Sequence, residues 1–227
     1  MAEEKKAGKK KVEAVREERS ILYEAGRYTA LVFMHTLMPV RFHHKERLRR
    51  EPPFVLIANH RHALDPVAMA MAIPHEQLVF LAKKELAPNR FLHNVLTRVH
   101  CILVDRHNVD MEAMRACMKA VKMKKILLIF PEGTRHHEGQ MEQIETGTAL
   151  IAMRTKAPII PIYIDRKLSF FKVTNLYVGE PIPYDDLLEE GINAQTCEKM
   201  NERMRETFRQ MIRDAEAETG AKNEKSC

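Results

Sequence analysis

The sequence predicts one α/β domain built on a mixed, mostly parallel sheet covered by helices on both faces. Two observations carry that prediction. Short apolar runs recur with no polar alternation at residues 54–58, 78–82, 101–104, 126–130, 159–164 and 175–178. A strand that is apolar at every position is buried on both faces, as in a sheet sandwiched between helices. Between these runs lie stretches with helical character at 66–72, 90–97, 111–121, 147–155 and 194–217. A helical crossover is the usual link between parallel neighbours.

The elements follow in chain order. Residues 1–20 are a Lys- and Glu-rich charged lead-in. Ser20 is a suitable cap for a helix that starts at Ile21, and Pro39 lacks the N–H needed to continue it. Residues 21–44 are therefore read as an N-terminal amphipathic segment, 45–217 as the α/β domain, and 218–227 as a polar tail expected to be mobile. The prolines Pro158 and Pro161 bracket an apolar strand and each removes a ladder donor, which predicts an edge strand or the wall of a groove.

Composition narrows the partners. The chain has 227 residues, 45% of them hydrophobic, enough for a core and too many for a disordered chain. A net charge of +6 and a pI near 9.1 favour an anionic partner. Nucleic acid is disfavoured, because tryptophan is absent, aromatics are only 6%, and no helix carries a basic recognition face. The four cysteines are far apart and form no C-x-x-C, which argues against a zinc knuckle, a redox pair or a stapled secreted fold. A reducing cytoplasm is expected, and no secretory leader is evident. The uncharged run 28–40 falls short of the ~20 apolar residues of a spanning helix. It contains His35 and Pro39 and suits an interfacial position or core packing.

The chemistry gathers at strand ends. Asn59-His60-Arg61-His62-Ala63-Leu64-Asp65-Pro66 follows the first long apolar run. If Asp65 caps the next helix, with Pro66 in its first turn, His60 falls in the turn beside it. A carboxylate on one imidazole nitrogen fixes the tautomer and leaves the other nitrogen to accept a proton. Alone, the pair also describes a turn histidine next to a helix cap. Phe130-Pro131-Glu132-Gly133-Thr134-Arg135 follows a second run. Arg135 offers a planar fork for a phosphate or carboxylate, Gly133 permits close backbone approach, and Glu132 can orient the arginine or bind a hydroxyl. Alone, this is equally a tight turn with a surface ion pair. Arg106 follows a third run and can supply a second positive group.

These segments, in this order, resemble the four motifs of the glycerolipid acyltransferases, most closely the bacterial 1-acyl-glycerol-3-phosphate (lysophosphatidic acid) acyltransferases. NHRHALD resembles the H-x-x-x-x-D motif, CILVDR the second motif, FPEGTR the third almost letter for letter, and APIIPI the fourth. The similarity spans about residues 20–190. By this resemblance His60 is the general base and Asp65 orients it. Arg106, Glu132, Gly133, Thr134 and Arg135 bind the glycerol phosphate, and Pro161 shapes the site. The donor is an acyl-CoA or acyl carrier protein thioester, with no cofactor and no metal, and no G-x-S-x-G elbow suggests an acyl-enzyme. The N-terminal helix docks on the cytoplasmic face of an anionic membrane as a peripheral, monotopic anchor. The chain departs from the pattern at His62 and His136, where serine is common, at His100, where glycine is usual, and at Glu145, where lysine is frequent.

Three other readings remain open at this level. The same fold can serve another acceptor: glycerol 3-phosphate, another lysophospholipid or a lyso-ornithine lipid. His60-Arg61-His62 with Asp65 echoes a metal-dependent hydrolase, although no histidine follows Asp65 to complete such a site. A non-catalytic protein that binds anionic lipid also fits the charge.

Overall fold

The computed structural model describes residues 21–224 except 75, 106–109 and 134–140, with side chains described to residue 218 except at 146. A seven-stranded sheet runs through its centre in the order β1-β7-β6-β2-β5-β3-β4. The strands are β1 (Val40–His43), β2 (Phe54–Ala58), β3 (Leu78–Lys83), β4 (Cys101–Val104), β5 (Ile126–Ile129), β6 (Ile159–Ile164) and β7 (Thr174–Val178). β6, β2, β5, β3 and β4 are mutually parallel, whereas β7 turns back antiparallel to β6 and carries β1 alongside it. The helices are α1 (Ile21–Leu37), α2 (Asp65–Ala72), α3 (Arg90–Arg98), α4 (Met111–Lys122), α5 (Thr146–Thr155), α6 (Asp185–Glu189) and α7 (Ala194–Glu224).

Alternation along each strand feeds two cores. Phe54, Leu56, Leu78, Leu128, Ile160 and Leu176 point to one face and pack with Tyr23 and Met34 of α1 and Met69 of α2. Val55, Ile57, Val79, Leu127, Ile159 and Tyr177 point to the other and pack with α4, α5 and α7 through Cys117, Met153, Met204 and Phe208. Every residue of β2, β5 and β6 is buried, as continuous apolar runs require. Caps start the amphipathic helices. Asn89 Oδ1 accepts from Leu92 N–H at α3, and Asp110 Oδ1 accepts from Ala113 N–H at α4.

Several expectations change. Within 21–44 the helix stops at Leu37, and residues 40–43 form an edge strand. Pro39 ends the helix, and its carbonyl accepts from Thr174 N–H at 3.0 Å, which docks β1 on β7. Helix α7 continues to Glu224, into the segment read as a tail, while the lead-in 1–20 lies outside the described residues. The proline-bracketed strand β6 is interior, with β2 on one side and β7 on the other. Pro161 pairs with Ile57 of β2 and accepts from Gly179 N–H just beyond β7, so its missing donor falls where the antiparallel ladder has run out.

Candidate active site

The carboxyl ends of β2, β3, β4 and β5 open on one rim, the usual place for a site in such sheets. Asn59 leaves β2 fully buried. Its amide donates to Ile164 O at 3.0 Å and accepts from Ile164 N–H at 2.7 Å, so the strand end is locked to β6. His60 comes next. Its backbone N–H donates to Glu132 Oε2 at 2.9 Å, and Glu132 Oε1 accepts from Met141 N–H at 3.1 Å. The imidazole stacks on the Phe130 ring with centroids 4.2 Å apart. Its Nδ1 lies 2.9 Å from Asp65 Oδ2.

Asp65 is fully buried and is the first residue of α2, whereas Leu64 holds the cap position. The expectation that Asp65 caps the helix is thereby corrected. Its carboxylate turns back into the preceding turn, where Oδ2 also accepts from Arg61 N–H at 2.7 Å and His62 N–H at 2.6 Å. Pro66 in the first turn needs no N–H partner, and the positive end of the α2 dipole lies beside the anion. With His60 Nδ1 and two backbone N–H groups all on Oδ2, the buried carboxylate holds the ring rigidly. The nitrogen left for chemistry is His60 Nε2.

Below this rim lies a groove of about 1070 Å³. Polar side chains on its wall include His60, Lys83 and Asp105, apolar ones include Tyr23, Val67, Phe80, Leu96 and Val99, and Gly133 lines it as well. That volume and mixture suit a ligand with a long apolar part and a polar head. Cys101 also lines the groove, but burial pushes its thiol up to about 12, so it is no ready nucleophile. Gly133 sits at φ 68°, as the close turn after β5 requires.

The motif residues separate in space. His60, Asp65 and Glu132 converge, and Glu132 gives both oxygens to backbone amides, which braces the turn at His60. Pro161 lies against Gly179, whose N–H it accepts at 2.9 Å, and it is not among the residues lining the groove. Arg106, Thr134, Arg135 and His136 lie outside the described residues, while Asp105 and Gly133, their neighbours in sequence, line the groove. His62 Nδ1 accepts from Leu64 N–H at 3.2 Å. His100 is buried at φ 62°, which explains a glycine at that position in related patterns. Glu145 precedes α5, and its N–H donates to Pro131 O at 2.8 Å. Among the described residues no three His, Cys, Asp or Glu side chains converge as a cation cage.

Sequence reasoning missed Asn59, whose tie to Ile164 spans 105 positions. It also missed Lys83, a cation on the groove wall whose local sequence carries no recognised motif. A polar residue directly after a fully apolar strand is the available signal for Asn59.

An α/β sheet with a carboxylate-held histidine at its strand ends, above an apolar groove, has the layout of an enzyme site. The chain belongs to the acyltransferase family, whose model matches residues 39–165. A 1-acyl-sn-glycerol-3-phosphate acyltransferase of Bacillus subtilis is 31% identical over 176 residues, covering 74% of this chain and 87% of that protein. The Streptococcus pneumoniae protein of the same name is 27% identical over 177 residues, covering 75% of this chain and 65% of that one. The crystal structure of the 1-acyl-sn-glycerophosphate (LPA) acyltransferase PlsC from Thermotoga maritima shares the fold, with a TM-score of 0.62 at 19% identity, over 88% of this chain and 78% of that one.

Proposed function

We propose that this enzyme transfers a fatty acyl group from an acyl-CoA or acyl carrier protein thioester to the free hydroxyl of 1-acyl-glycerol 3-phosphate, giving phosphatidic acid. The observation that carries the proposal is the His60–Asp65 pair set on the rim of a groove with apolar walls. The names of the relatives support the acceptor.

The chemistry follows from the geometry. His60 Nε2 takes the proton of the acceptor hydroxyl as its oxygen attacks the thioester carbonyl. Asp65 stabilises the imidazolium that forms. The tetrahedral adduct then collapses, the C–S bond breaks, and the departing thiolate takes the proton back from His60. The enzyme stays unacylated throughout. Arg106, Thr134 and Arg135 are assigned to the acceptor phosphate, with Lys83 as a further cation on the groove wall. Glu132 acts through the His60 backbone. The enzyme would work from the cytoplasmic face of a membrane with α1 against the lipid, and the basic lead-in favours an anionic leaflet. No helix among the described residues is long and apolar enough to cross a bilayer.

The test is acyl transfer from a radiolabelled thioester, with CoA and acyl carrier protein donors, to lysophosphatidic acid in mixed micelles. Wild type should form phosphatidic acid. His60→Ala should lose roughly 10²–10⁴ in rate at an unchanged melting temperature. Product on glycerol 3-phosphate or lyso-ornithine lipid instead would keep the chemistry and replace the acceptor. A fully active His60→Ala protein would refute the mechanism.

A further inference from the structure

The loop from β6 to β7 presents two aromatic rings to solvent. After Ile164 the chain reads Asp165-Arg166-Lys167-Leu168-Ser169-Phe170-Phe171-Lys172-Val173 before β7 opens at Thr174. Leu168 is buried and Ser169 bridges to Lys172, so a tight turn holds Phe170 and Phe171 at its tip. Phe170 is 55% exposed and Phe171 76% exposed. Phe171 also adopts φ 59°, a left-handed conformation that a bulky aromatic residue rarely takes. Folding alone rewards neither feature, since asparagine or glycine would suit that backbone better and expose less apolar area.

The turn is tied to α1. Phe171 N–H donates to Leu37 O at 2.8 Å, and the Phe170 ring meets Phe33 edge-on at 6.4 Å. Phe33, Phe170 and Phe171 therefore form one apolar surface, continuous with the exposed Val32 of α1. Arg166, Lys167 and Lys172, all exposed, rim it. The one carboxylate in the loop, Asp165, is held by Asn175 through its N–H at 2.9 Å and its amide at 2.7 Å, with Arg166 at 3.4 Å. Toward its start, α1 lines the groove through Tyr23 and Gly26, so this surface and the groove share one helix. Aromatic rings ringed by cations match an anionic lipid surface, with rings at the acyl boundary and cations at phosphate depth.

We infer that the β6–β7 loop is a second membrane-insertion element, placing Phe170 and Phe171 beneath the headgroups of an anionic bilayer and Arg166, Lys167 and Lys172 on its phosphates. This goes beyond docking by α1, and its test needs no turnover. Failure of the acyl-transfer assay would therefore leave it standing or falling on its own.

The chain contains no tryptophan, so Phe171→Trp creates a single reporter. With vesicles of phosphatidylglycerol and phosphatidylcholine its emission should shift to the blue and be quenched by brominated acyl chains. The double variant Phe170→Ser/Phe171→Asn places a residue at 171 that tolerates the backbone, so melting should hold, while vesicle affinity should fall about ten-fold or more. Lys167→Glu/Lys172→Glu should weaken binding to anionic vesicles and leave neutral ones unaffected. Wild-type affinity in the double variant, with an unquenched reporter, would overturn the inference. So would a blue shift that tracks protein concentration without vesicles, which would mean that two copies pair through this face.

Discussion

His60 and Asp65 meet through Nδ1 and Oδ2 at 2.9 Å, and the same oxygen receives two backbone N–H groups from the intervening turn. The carboxylate thus builds the loop and aims the imidazole at once. Five residues of sequence separation suffice because the turn folds around the anion, not because a helix or strand spaces the pair.

Asp65→Asn separates the two tasks. Asparagine can still accept from the Arg61 and His62 amides, but it carries no charge to stabilise an imidazolium and can set the wrong tautomer. Turnover should fall by about 10²–10⁴, with KM for both substrates nearly unchanged and a stability loss of about 1–3 kcal/mol. Steady-state kinetics beside chemical denaturation checks both. A large rise in KM with unchanged turnover would contradict this division.

Glu132→Gln should cost more than its isosteric shape suggests. Both Glu132 oxygens accept backbone N–H groups, from His60 and Met141. Glutamine presents an NH₂ to one of them, so two donors face each other in a buried site. Stability should drop by about 1–3 kcal/mol, and turnover should fall while KM for the acceptor moves little. A rise in acceptor KM alone would return Glu132 to headgroup binding.

Gly179→Ala probes the interior proline. An added Cβ would lie 2.7 Å from Pro161 Cγ and 2.9 Å from Met211 Sδ. Overpacking should cost about 1–3 kcal/mol. Combining it with Met211→Ala should recover part of the loss, since the thioether gives way and the ring does not. Thermal melts of the single and double variants read the coupling, and strict additivity would place the strain elsewhere.

The exposed Asp186–Arg203 pair sets an acid limb. Its two bonds are 2.7 Å each, and the hydrogen bonds from Arg203 hold the Asp186 carboxyl at about 2, below its ordinary 3.8. A depressed carboxyl stabilises the fold above its unfolded value and loses that contribution as pH falls toward the folded one. Asp186→Asn should therefore be less stable than wild type above about pH 4, with the difference closing toward pH 2. Melting temperatures across that range, at low salt, test it.

The local signals were strong where burial acts on every residue. The runs 54–58 and 159–164 became strands with those bounds because a central strand must be apolar on both faces. Val40–His43 escaped because an edge strand of four residues, with Arg41 and His43 among them, leaves no continuous apolar pattern. The contact of His60 with Asp65 was legible because their residue types and spacing are local, whereas that of Glu132 with His60 was not.

By itself the sequence determined the class of fold, the helix stop before Pro39 and the pairing of His60 with Asp65, all of which depend on neighbours in the chain. Tertiary structure decided strand order, and with it the interior place of Pro161 beside Gly179. It decided that Glu132 braces His60 across 72 positions and that Asn59 pins β2 to Ile164 across 105. Those contacts satisfy buried backbone groups on strands brought together only by the folded sheet. Their partners are chosen by geometry after folding, and no local pattern encodes them.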